Sequence, residues 1–386
     1  MSNAQSILLL LIGLLSSIVV MPLRAEQQEA DIEPFLGVPT LEIIDVFKGE
    51  RFPNIVVTLD GTLLASWGSQ HIRVKRSVDG GKTWGEDISI VKGHIHGGGT
   101  TVDETTGDIL VFTDKGKHPP SEVWMFRSQD DGKSWTRQEI SIHPDKKGAV
   151  PSAHMNERGI TLRHGKHKGR LIRPSRWYAD GNRPASLFKT HYTNAIYSDD
   201  HGKTWQTSDP FSEMGTGEAC VVELSDGRLY YNTRRHWAPE GKSPLRRWDA
   251  WSRDGGKTWE NVGICEVLPD GAQHRAYGCM GGLVRLPIKG KDILIYSNIV
   301  SEKGRKNGHV WASFDGGETW PIKRQVDAGS FAYSAMTAGR PGTKTEGTIY
   351  LHYESSGGSK VARFNLSWVL KGEATGDGEV PKALAN

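Results

Sequence analysis

Arginine, glutamate and tyrosine side chains recur in short polar segments between the repeated parts of this chain. A guanidinium can bind a carboxylate through two charge-assisted hydrogen bonds, and it keeps its charge at physiological pH. A phenol is a poor nucleophile at neutral pH unless a carboxylate within hydrogen-bond reach takes its proton. Taken singly, an arginine is typical of a surface ion pair and a tyrosine of a strand. These residues can act together in one site only if the fold brings them into contact.

Histidines form a second group of residues that could transfer protons. They are His71 in a short loop, His94 and His96 among glycines, and His154 after a proline and a serine. Histidine as a residue type can exchange protons near neutral pH, although each of these four is also typical of a hydrogen-bonded loop residue. No further ligands are spaced to complete a metal site with His94 and His96, so we predict neither a metal nor a cofactor.

Five copies of one pattern, Ser-x-Asp-x-Gly-x-Thr/Ser-Trp, indicate the elements that position these residues. Asp-x-Gly favours a tight turn, because Asp bonds nearby backbone amides and Gly tolerates positive φ. Thr and Trp then suit the start of a returning strand. We therefore predict hairpin turns whose aspartates are structural rather than catalytic. The copies are Ser77–Trp84, Ser128–Trp135, Ser198–Trp205, Ser252–Trp259 and Ser313–Trp320.

The spacing of these boxes predicts a repeat architecture. Their tryptophans are 51 to 70 residues apart, which is the length of a four-stranded unit with variable loops. The predicted fold is all-β, a six-bladed β-propeller with Asp-box hairpin turns that forms one domain over residues 26–386. Strand-like segments at the two ends of the chain would complete the sixth blade and close the ring. These segments are Leu41–Val46, Asn54–Leu59, Thr62–Trp67, Ser330–Thr337, Gly347–Glu354 and Lys360–Leu366.

Residues 1–25 differ in composition from the rest. An apolar run from Ile7 to Met21 precedes Pro22-Leu23-Arg24-Ala25. This pattern predicts a secretory signal peptide cleaved after Ala25, and hence a secreted or periplasmic protein. The alternative is an uncleaved anchor, which would bring the protein into contact with a membrane, although the run is short for a bilayer span.

Charge and cysteine content exclude other classes. The formal net charge is +3, and it becomes +2 without Arg24. This charge is too small, and the Lys and Arg residues too scattered, for a nucleic-acid-binding protein. Cys220, Cys265 and Cys279 give neither a disulfide framework nor a zinc signature, and a Cys220–Cys279 bridge stays undetermined.

The polar segments between the boxes occur in a specific order. In chain order they are Arg51-Phe52-Pro53, Asp60–Ala65, Gly217–Cys220, Val222–Leu229, Asn232-Thr233-Arg234, Cys279–Gly282, Arg305–Gly308, Ala332-Tyr333-Ser334 and Tyr353-Glu354. This ordered set resembles the sialidase (neuraminidase) family over about Gly49 to Glu354. The resemblance implies a six-bladed, exo-acting glycoside hydrolase that releases sialic acid, or a related 2-keto acidic sugar, by a retaining mechanism with a tyrosine nucleophile.

The resemblance also implies individual roles. Three arginines would bind the sugar carboxylate, one glutamate would pair with the first of them, and a tyrosine would attack with a glutamate as its base. The matching residues are, in that order, Arg51, Arg234, Arg305, Glu354, Tyr333 and Glu218. A neutral phenol suits this reaction, because it approaches an anomeric carbon beside a carboxylate with less repulsion than an ionised aspartate. Arg235 is the alternative to Arg234 as the second arginine, but the spacing from Glu218 along the sequence favours Arg234.

One expected residue has no counterpart. The family's general acid/base aspartate lies between the first arginine strand and the first box, and residues 67–76 contain no Asp or Glu. His71, at the tip of this shortened loop, is the predicted substitute. His96 and His154, at the starts of the second and third blades, are predicted to contact the substrate.

The missing aspartate leaves two other functions open. One is a binding propeller that keeps the arginine pocket and recognises acidic glycans without catalysis. The other is a related enzyme that acts on another acidic sugar with a histidine as acid or base. In every case the predicted partner is a sialylated or other acidic glycan.

Overall fold

The computed structural model describes residues 29–94, 99–115, 122–152, 158–177, 189–237, 246–270 and 278–385. The predicted signal peptide, His96 and His154 therefore lie outside the described residues. Six sheets account for nearly all regular structure in these ranges, which confirms the all-β prediction. The described helical segments are one short α-helix, α1 (Leu366–Val369), and the 3₁₀ turns Glu33–Phe35, Gly165–His167 and Lys382–Leu384.

Each sheet is one blade, and we number the blades along the chain. Blade I contains β2 (Asn54–Val57), β3 (Leu63–Trp67), β4 (His71–Ser77) and β5 (Ile88–Lys92). Blade II contains β6 (Thr100–Val102), β7 (Ile109–Lys115), β8 (Glu122–Ser128) and β9 (Thr136–Gln138). Blade III contains β10 (Ser141–Ile142), β11 (Ile160–Thr161), β12 (Leu171–Trp177), β13 (Tyr192–Ser198) and β14 (Thr204–Thr207).

The remaining blades follow the same order. Blade IV contains β15 (Thr216–Glu223), β16 (Leu229–Arg235), β17 (Arg246–Ser252) and β18 (Glu260–Pro269). Blade V contains β19 (Gly282–Arg285), β20 (Leu294–Ile299), β21 (Lys306–Ser313), β22 (Ile322–Ser330) and β26 (Glu373–Ala374). Blade VI contains β1 (Leu41–Lys48), β23 (Ser334–Ala338), β24 (Ile349–Ser355) and β25 (Gly358–Phe364).

The two ends of the chain close the ring, as predicted, but the N-terminal part contributes fewer strands to the sixth blade than expected. Only β1 joins blade VI, where it pairs antiparallel with β25. Asn54–Leu59 and Thr62–Trp67 instead form the inner half of blade I, so the expectation that they belong to the sixth blade was wrong. The reason is connectivity: β3 pairs with β4, the strand that leads into the first box. The inner strands of neighbouring blades contact one another around the ring; between blades III and IV, β12 contacts β15.

Apolar side chains between adjacent blades form the core. The inner strands β2 and β3 are buried along their whole length, which is why they are continuous rather than alternating apolar runs. Between blades VI and I, for example, Ala335 and Tyr350 pack against Val57, Leu63 and Trp67. The outer strand β5 is only half-buried. This packing fixes the distance of each inner strand from the central channel.

The boxes form the predicted turns between the last two strands of a blade. In the third copy Asp200 Oδ1 accepts hydrogen bonds from Ser198 Oγ (2.7 Å) and from the backbone of Lys203 (3.1 Å) and Thr204 (2.9 Å). Asp200 Oδ2 accepts another from Thr204 Oγ1 at 2.7 Å. The Trp205 side chain is fully buried below this turn. The structural role of the box aspartates is therefore confirmed.

We expect Asp200→Ala to lower the free energy of unfolding by about 1–3 kcal/mol, because it removes the acceptor of these bonds. Urea denaturation measures the change. Asp60→Ala is the matched control: it removes an exposed turn aspartate that has no side-chain hydrogen bond within the described part of the chain. Equal losses of stability in the two variants would contradict the assigned role.

Two further findings concern the chain as a whole. Cys220, Cys265 and Cys279 are buried and form no disulfide, so the structure contains no Cys220–Cys279 bridge. Within the described ranges, no helix has both the length and the apolar character needed to cross a membrane.

Candidate active site

The predicted arginine, glutamate and tyrosine site residues lie at one end of the central channel. Inner strands β2, β15, β19 and β23 begin at this end, and the second strands β16 and β24 finish there. Arg51 and Tyr333 precede inner strands, and Glu218 lies near the start of β15. Arg234 and Glu354 lie near the ends of second strands. Antiparallel pairing within each blade brings a strand start and a strand end together, which is how residues far apart in sequence meet.

Tyr333, Glu218 and Arg234 form a continuous hydrogen-bonded chain. The Tyr333 hydroxyl donates to Glu218 Oε1. Arg234 Nη1 donates to the other oxygen, Glu218 Oε2, at 2.6 Å. All three side chains are buried; Tyr333 is 9% exposed. The phenol therefore has a carboxylate in position to accept its proton.

Arg51 is held by Glu354. Arg51 Nε and Nη2 donate to the two oxygens of Glu354 at 3.0 and 3.1 Å, which is the bidentate geometry expected of an arginine–carboxylate pair. The backbone N–H of Phe52 also donates to Glu354, at 3.1 Å. The Arg51 side chain remains 43% exposed. The pair thus orients a guanidinium that can still contact a ligand.

Arg305 completes the cluster from blade V. Its Nη2 donates to the backbone oxygen of Gly278 at 3.0 Å. The guanidinium carbons of Arg305 and Arg51 each lie 5.0 Å from the centroid of the Tyr333 ring. Three guanidinium groups thus surround the phenol, and two of them are hydrogen-bonded to the carboxylates of Glu354 and Glu218. The third donates to a backbone oxygen, and a cluster of arginines suits a ligand that carries a carboxylate.

The surroundings shift the pKa values of the central pair in opposite directions. Burial by itself would raise the pKa of Glu218, but the Arg234 guanidinium, with His236 and Arg176, holds it well below the ordinary value. Burial, and then the Glu218 charge, raise the pKa of Tyr333 against the effect of the three arginines. In the absence of ligand, Glu218 is therefore ionised and Tyr333 is protonated.

Two residues that we did not predict, His236 and Arg176, lie close to Glu218. His236 Nε2 lies 3.8 Å from Glu218 Oε1 and 3.5 Å from Arg176 Nη1. Burial and the charge of Arg234 lower the pKa of His236 to about 3, so this histidine is neutral and is not a proton donor. Gly217 leaves room for them, because a Cβ there would lie 2.6 Å from Arg176 Nη1. His236 follows Arg235 directly, but nothing in its spacing indicated this contact.

The choice between Arg234 and Arg235 follows from strand alternation. Successive side chains of a strand point to opposite faces, so only one of the two can face Glu218. Arg235 instead donates to Trp237 O at 2.8 Å and to Glu213 Oε2 at 3.0 Å. The contacts thus agree with the preference for Arg234.

The backbone around Arg51 adopts a conformation that L-residues rarely take. Glu50 and Phe52 have φ values of 53° and 74°, and such strain concentrates at functional sites. The Glu50 carboxylate accepts backbone hydrogen bonds from Ser69 (2.7 Å), Gln70 (3.2 Å) and His71 (3.3 Å). These hydrogen bonds to Glu50 hold the shortened β3–β4 loop close to Arg51.

The predicted histidine contacts are not supported by the described residues. His71 begins β4, and its Nε2 lies 2.8 Å from Ser89 Oγ. Within the described ranges it has no hydrogen bond or ion pair with the Tyr333–Glu218 pair. His94 Nδ1 lies 3.2 Å from Thr113 Oγ1, and the His94 ring is 4.2 Å from that of Trp124. No group of three or more potential metal ligands occurs in the described part of the chain.

Comparisons with known proteins agree with this architecture. The BNR repeat-like domain model matches residues 61–350. The chain belongs to this family. A sialidase of Micromonospora viridifaciens is 33% identical over 362 residues, which cover 84% of this chain and 52% of that protein. A sialidase of Bacteroides fragilis is 30% identical, with coverages of 79% and 60%. The predicted similarity to sialidases is therefore confirmed.

Solved structures of sialidases are also similar to this BNR repeat-like protein. The Hadza microbial sialidase Hz136 superimposes with a TM-score of 0.62 at 25% identity, over 83% of this chain and 66% of that one. The leech intramolecular trans-sialidase, at 17% identity, has a TM-score of 0.64 over 86% and 69%, which supports the fold alone. The chain spans between one half and two thirds of the length of the two curated sialidases named above.

Proposed function

We propose that this BNR repeat-like propeller is an exo-acting, retaining sialidase that releases sialic acid, or a related 2-keto acidic sugar, from glycoconjugates. The hydrogen-bonded chain from Tyr333 through Glu218 to Arg234, inside a cluster of three arginines, carries this proposal. The substrate carboxylate would contact Arg51, Arg234 and Arg305. Secretion would follow from cleavage of residues 1–25.

The first half of the reaction requires a proton to leave the phenol as it attacks. The Tyr333 oxygen forms a bond to the anomeric carbon, its proton passes to Glu218, and the bond to the leaving oxygen breaks. Water then attacks the glycosyl-tyrosine and gives up a proton to the group that had protonated the leaving oxygen, while Tyr333 regains its proton from Glu218. The anomeric configuration is retained because two displacements occur in succession. For protonation of the leaving oxygen, His71 stays a prediction.

Substrate binding would prepare Glu218 for this role. In the free site the Arg234 charge keeps Glu218 a weak base. A bound carboxylate adds a negative charge beside the arginines, which opposes their effect and raises the affinity of Glu218 for a proton. The base would therefore become effective only when the acidic sugar is in place.

Sugar release from a panel of sialosides and other acidic glycosides tests the proposal. We expect release from sialosides, with the anomeric configuration retained in the first product seen by NMR. Binding of free sialic acid without release from any glycoside would instead identify a glycan-binding propeller. Release only from other acidic glycosides would assign a different substrate.

We expect Arg305→Met to raise KM for an aryl sialoside by about 10- to 100-fold, the equivalent of one charged hydrogen bond of about 1.5–3 kcal/mol. Arg305 donates to the backbone oxygen of Gly278, and loss of that hydrogen bond should cost about 1 kcal/mol, so the melting temperature should fall only slightly. The control is Arg253→Met, which disrupts an exposed pair with Glu260. An unchanged KM in Arg305→Met would remove this arginine from the carboxylate site.

A further inference from the structure

A second polar cavity lies at the opposite end of the central channel. Its volume is about 90 Å³, and the ends of all six inner strands contribute to its wall. Strand β15 connects the two regions, since Glu218 lies near its start and Glu223 at its end, roughly 17 Å away. The volume is sufficient for several water molecules. The charged lining residues are Glu104, Arg158, Arg163, His164, Glu223, Arg285 and Arg340.

Two of these arginines share one carboxylate. Arg163 donates to both oxygens of Glu104, at 2.7 and 2.8 Å. Arg340 Nη2 lies 3.0 Å from Glu104 Oε1. Arg340 is 7% exposed, and its Nη1 has no hydrogen-bond partner in the described part of the chain. The single negative charge of Glu104 thus faces the two positive charges of Arg163 and Arg340, and the buried Nη1 of Arg340 donates no hydrogen bond to the described residues.

Arg158 adds a third positive charge. Its Nη1 donates to Thr337 Oγ1 at 3.0 Å. In the ranges that the structure describes, no carboxylate lies within 4.0 Å of its guanidinium. Burial, together with the charges of Arg163 and Arg340, lowers the pKa of Arg158 to about 10. The group remains charged at neutral pH but is destabilised by its neighbours.

The other charged residues offset only part of this excess. Arg285 is already paired with Glu29 at 2.5 Å and Asp292 at 2.7 Å. Glu223 accepts two backbone hydrogen bonds, and burial raises its pKa to about 7, so it is partly protonated at neutral pH. Burial lowers the pKa of His164, which is therefore neutral. Arg158, Arg163 and Arg340 thus lie around one ionised carboxylate, Glu104, and this part of the cavity is positively charged.

We propose that this cavity binds one phosphate-sized oxyanion, held by Arg158, Arg163 and Arg340. Guanidinium groups bind such anions through paired, charge-assisted hydrogen bonds. The anion would use the free Nη1 of Arg340 and relieve the repulsion at Arg158. Because Arg158 and Arg163 belong to blade III and Arg340 to blade VI, it would also link the closing blade to the opposite side of the ring.

Thermal unfolding of the full chain in phosphate and in chloride, at equal ionic strength and pH 7, tests the proposal. An anion that binds only the folded protein stabilises it. We expect phosphate to raise Tm by roughly 2 °C or more in the native protein and in Arg253→Met, but not in Arg158→Met. General salting-out by phosphate acts on every variant and cancels in this comparison. Equal phosphate responses in Arg158→Met and Arg253→Met would overturn the proposal.

Arg305→Met distinguishes this cavity from the sugar site. It should keep the phosphate response, whereas loss of the response there and its survival in Arg158→Met would assign the anion to the sugar site and overturn the proposal. If Arg158→Met does not fold, ³¹P NMR of phosphate with the native protein and with Arg340→Met replaces the comparison. Line broadening should occur with the native protein and be lost in the variant; equal broadening with both would contradict it.

Discussion

Tyr333→Phe should reduce turnover of an aryl sialoside on the order of 10³-fold while the protein stays folded. The substitution removes the oxygen that would attack the anomeric carbon, but it keeps the ring that lies against Arg51 and Arg305. KM should change much less than kcat, because the three arginines that would bind the sugar carboxylate remain. Steady-state kinetics and a melting curve of the same preparation measure both quantities.

Tyr350→Phe is the control for this variant. Tyr350 is also buried, and its hydroxyl donates to Gly80 O at 3.1 Å, in the first box. Its loss should cost about 1 kcal/mol of stability and leave turnover unchanged. Turnover in Tyr333→Phe within a factor of two of the native value would exclude Tyr333 as the nucleophile.

Arg234→Met should lower the free energy of unfolding by about 3–5 kcal/mol. Arg234 and Glu218 are 4% and 7% exposed and lie 2.6 Å apart, so the substitution leaves a carboxylate buried beside a neutral side chain. Neutralising both partners, in Glu218→Gln/Arg234→Met, removes that charge. The double variant should be more stable than Arg234→Met by about 1–3 kcal/mol, although we expect neither variant to release sugar.

Urea denaturation of the two single variants and the double variant measures this coupling. Arg253→Met, which breaks an ion pair whose side chains are 65% and 44% exposed, should cost less than about 1 kcal/mol. If the double variant were less stable than Arg234→Met, the buried pair would not be the source of the loss. Such an outcome would assign the effect of Arg234 to packing.

The repeated turns were predictable because their interactions are local. The bonds of each box join residues two to four positions apart, as those from Ser198 and Thr204 to Asp200 show. Turn chemistry and the spacing of the tryptophans were therefore enough to predict the propeller. The allocation of Asn54–Leu59 and Thr62–Trp67 to a blade was not predictable in this way, since it depends on which neighbour each strand pairs with.

The site was predictable only in part. The order of motifs led to six residues, which the structure brings together: Arg51, Glu218, Arg234, Arg305, Tyr333 and Glu354. The support of Glu218 by His236 and Arg176 was missed, because a single histidine after a strand has no distinctive spacing. The positive cavity was also missed: Arg158, Arg163 and Arg340 occur in segments without any motif. They meet because Arg158 precedes the inner strand β11, whereas Arg163 and Arg340 follow the inner strands β11 and β23.

What this sequence determined by itself was the repeating unit, the number of blades and the types of residue available for chemistry, since these follow from short-range hydrogen bonding and from residue order. The tertiary structure decided which of those residues meet. Arg51 and Glu354 are 303 positions apart, and Tyr333 and Glu218 are 115 apart. Contacts over such separations form only when the ring closes, because closure places strand ends from different blades around one channel.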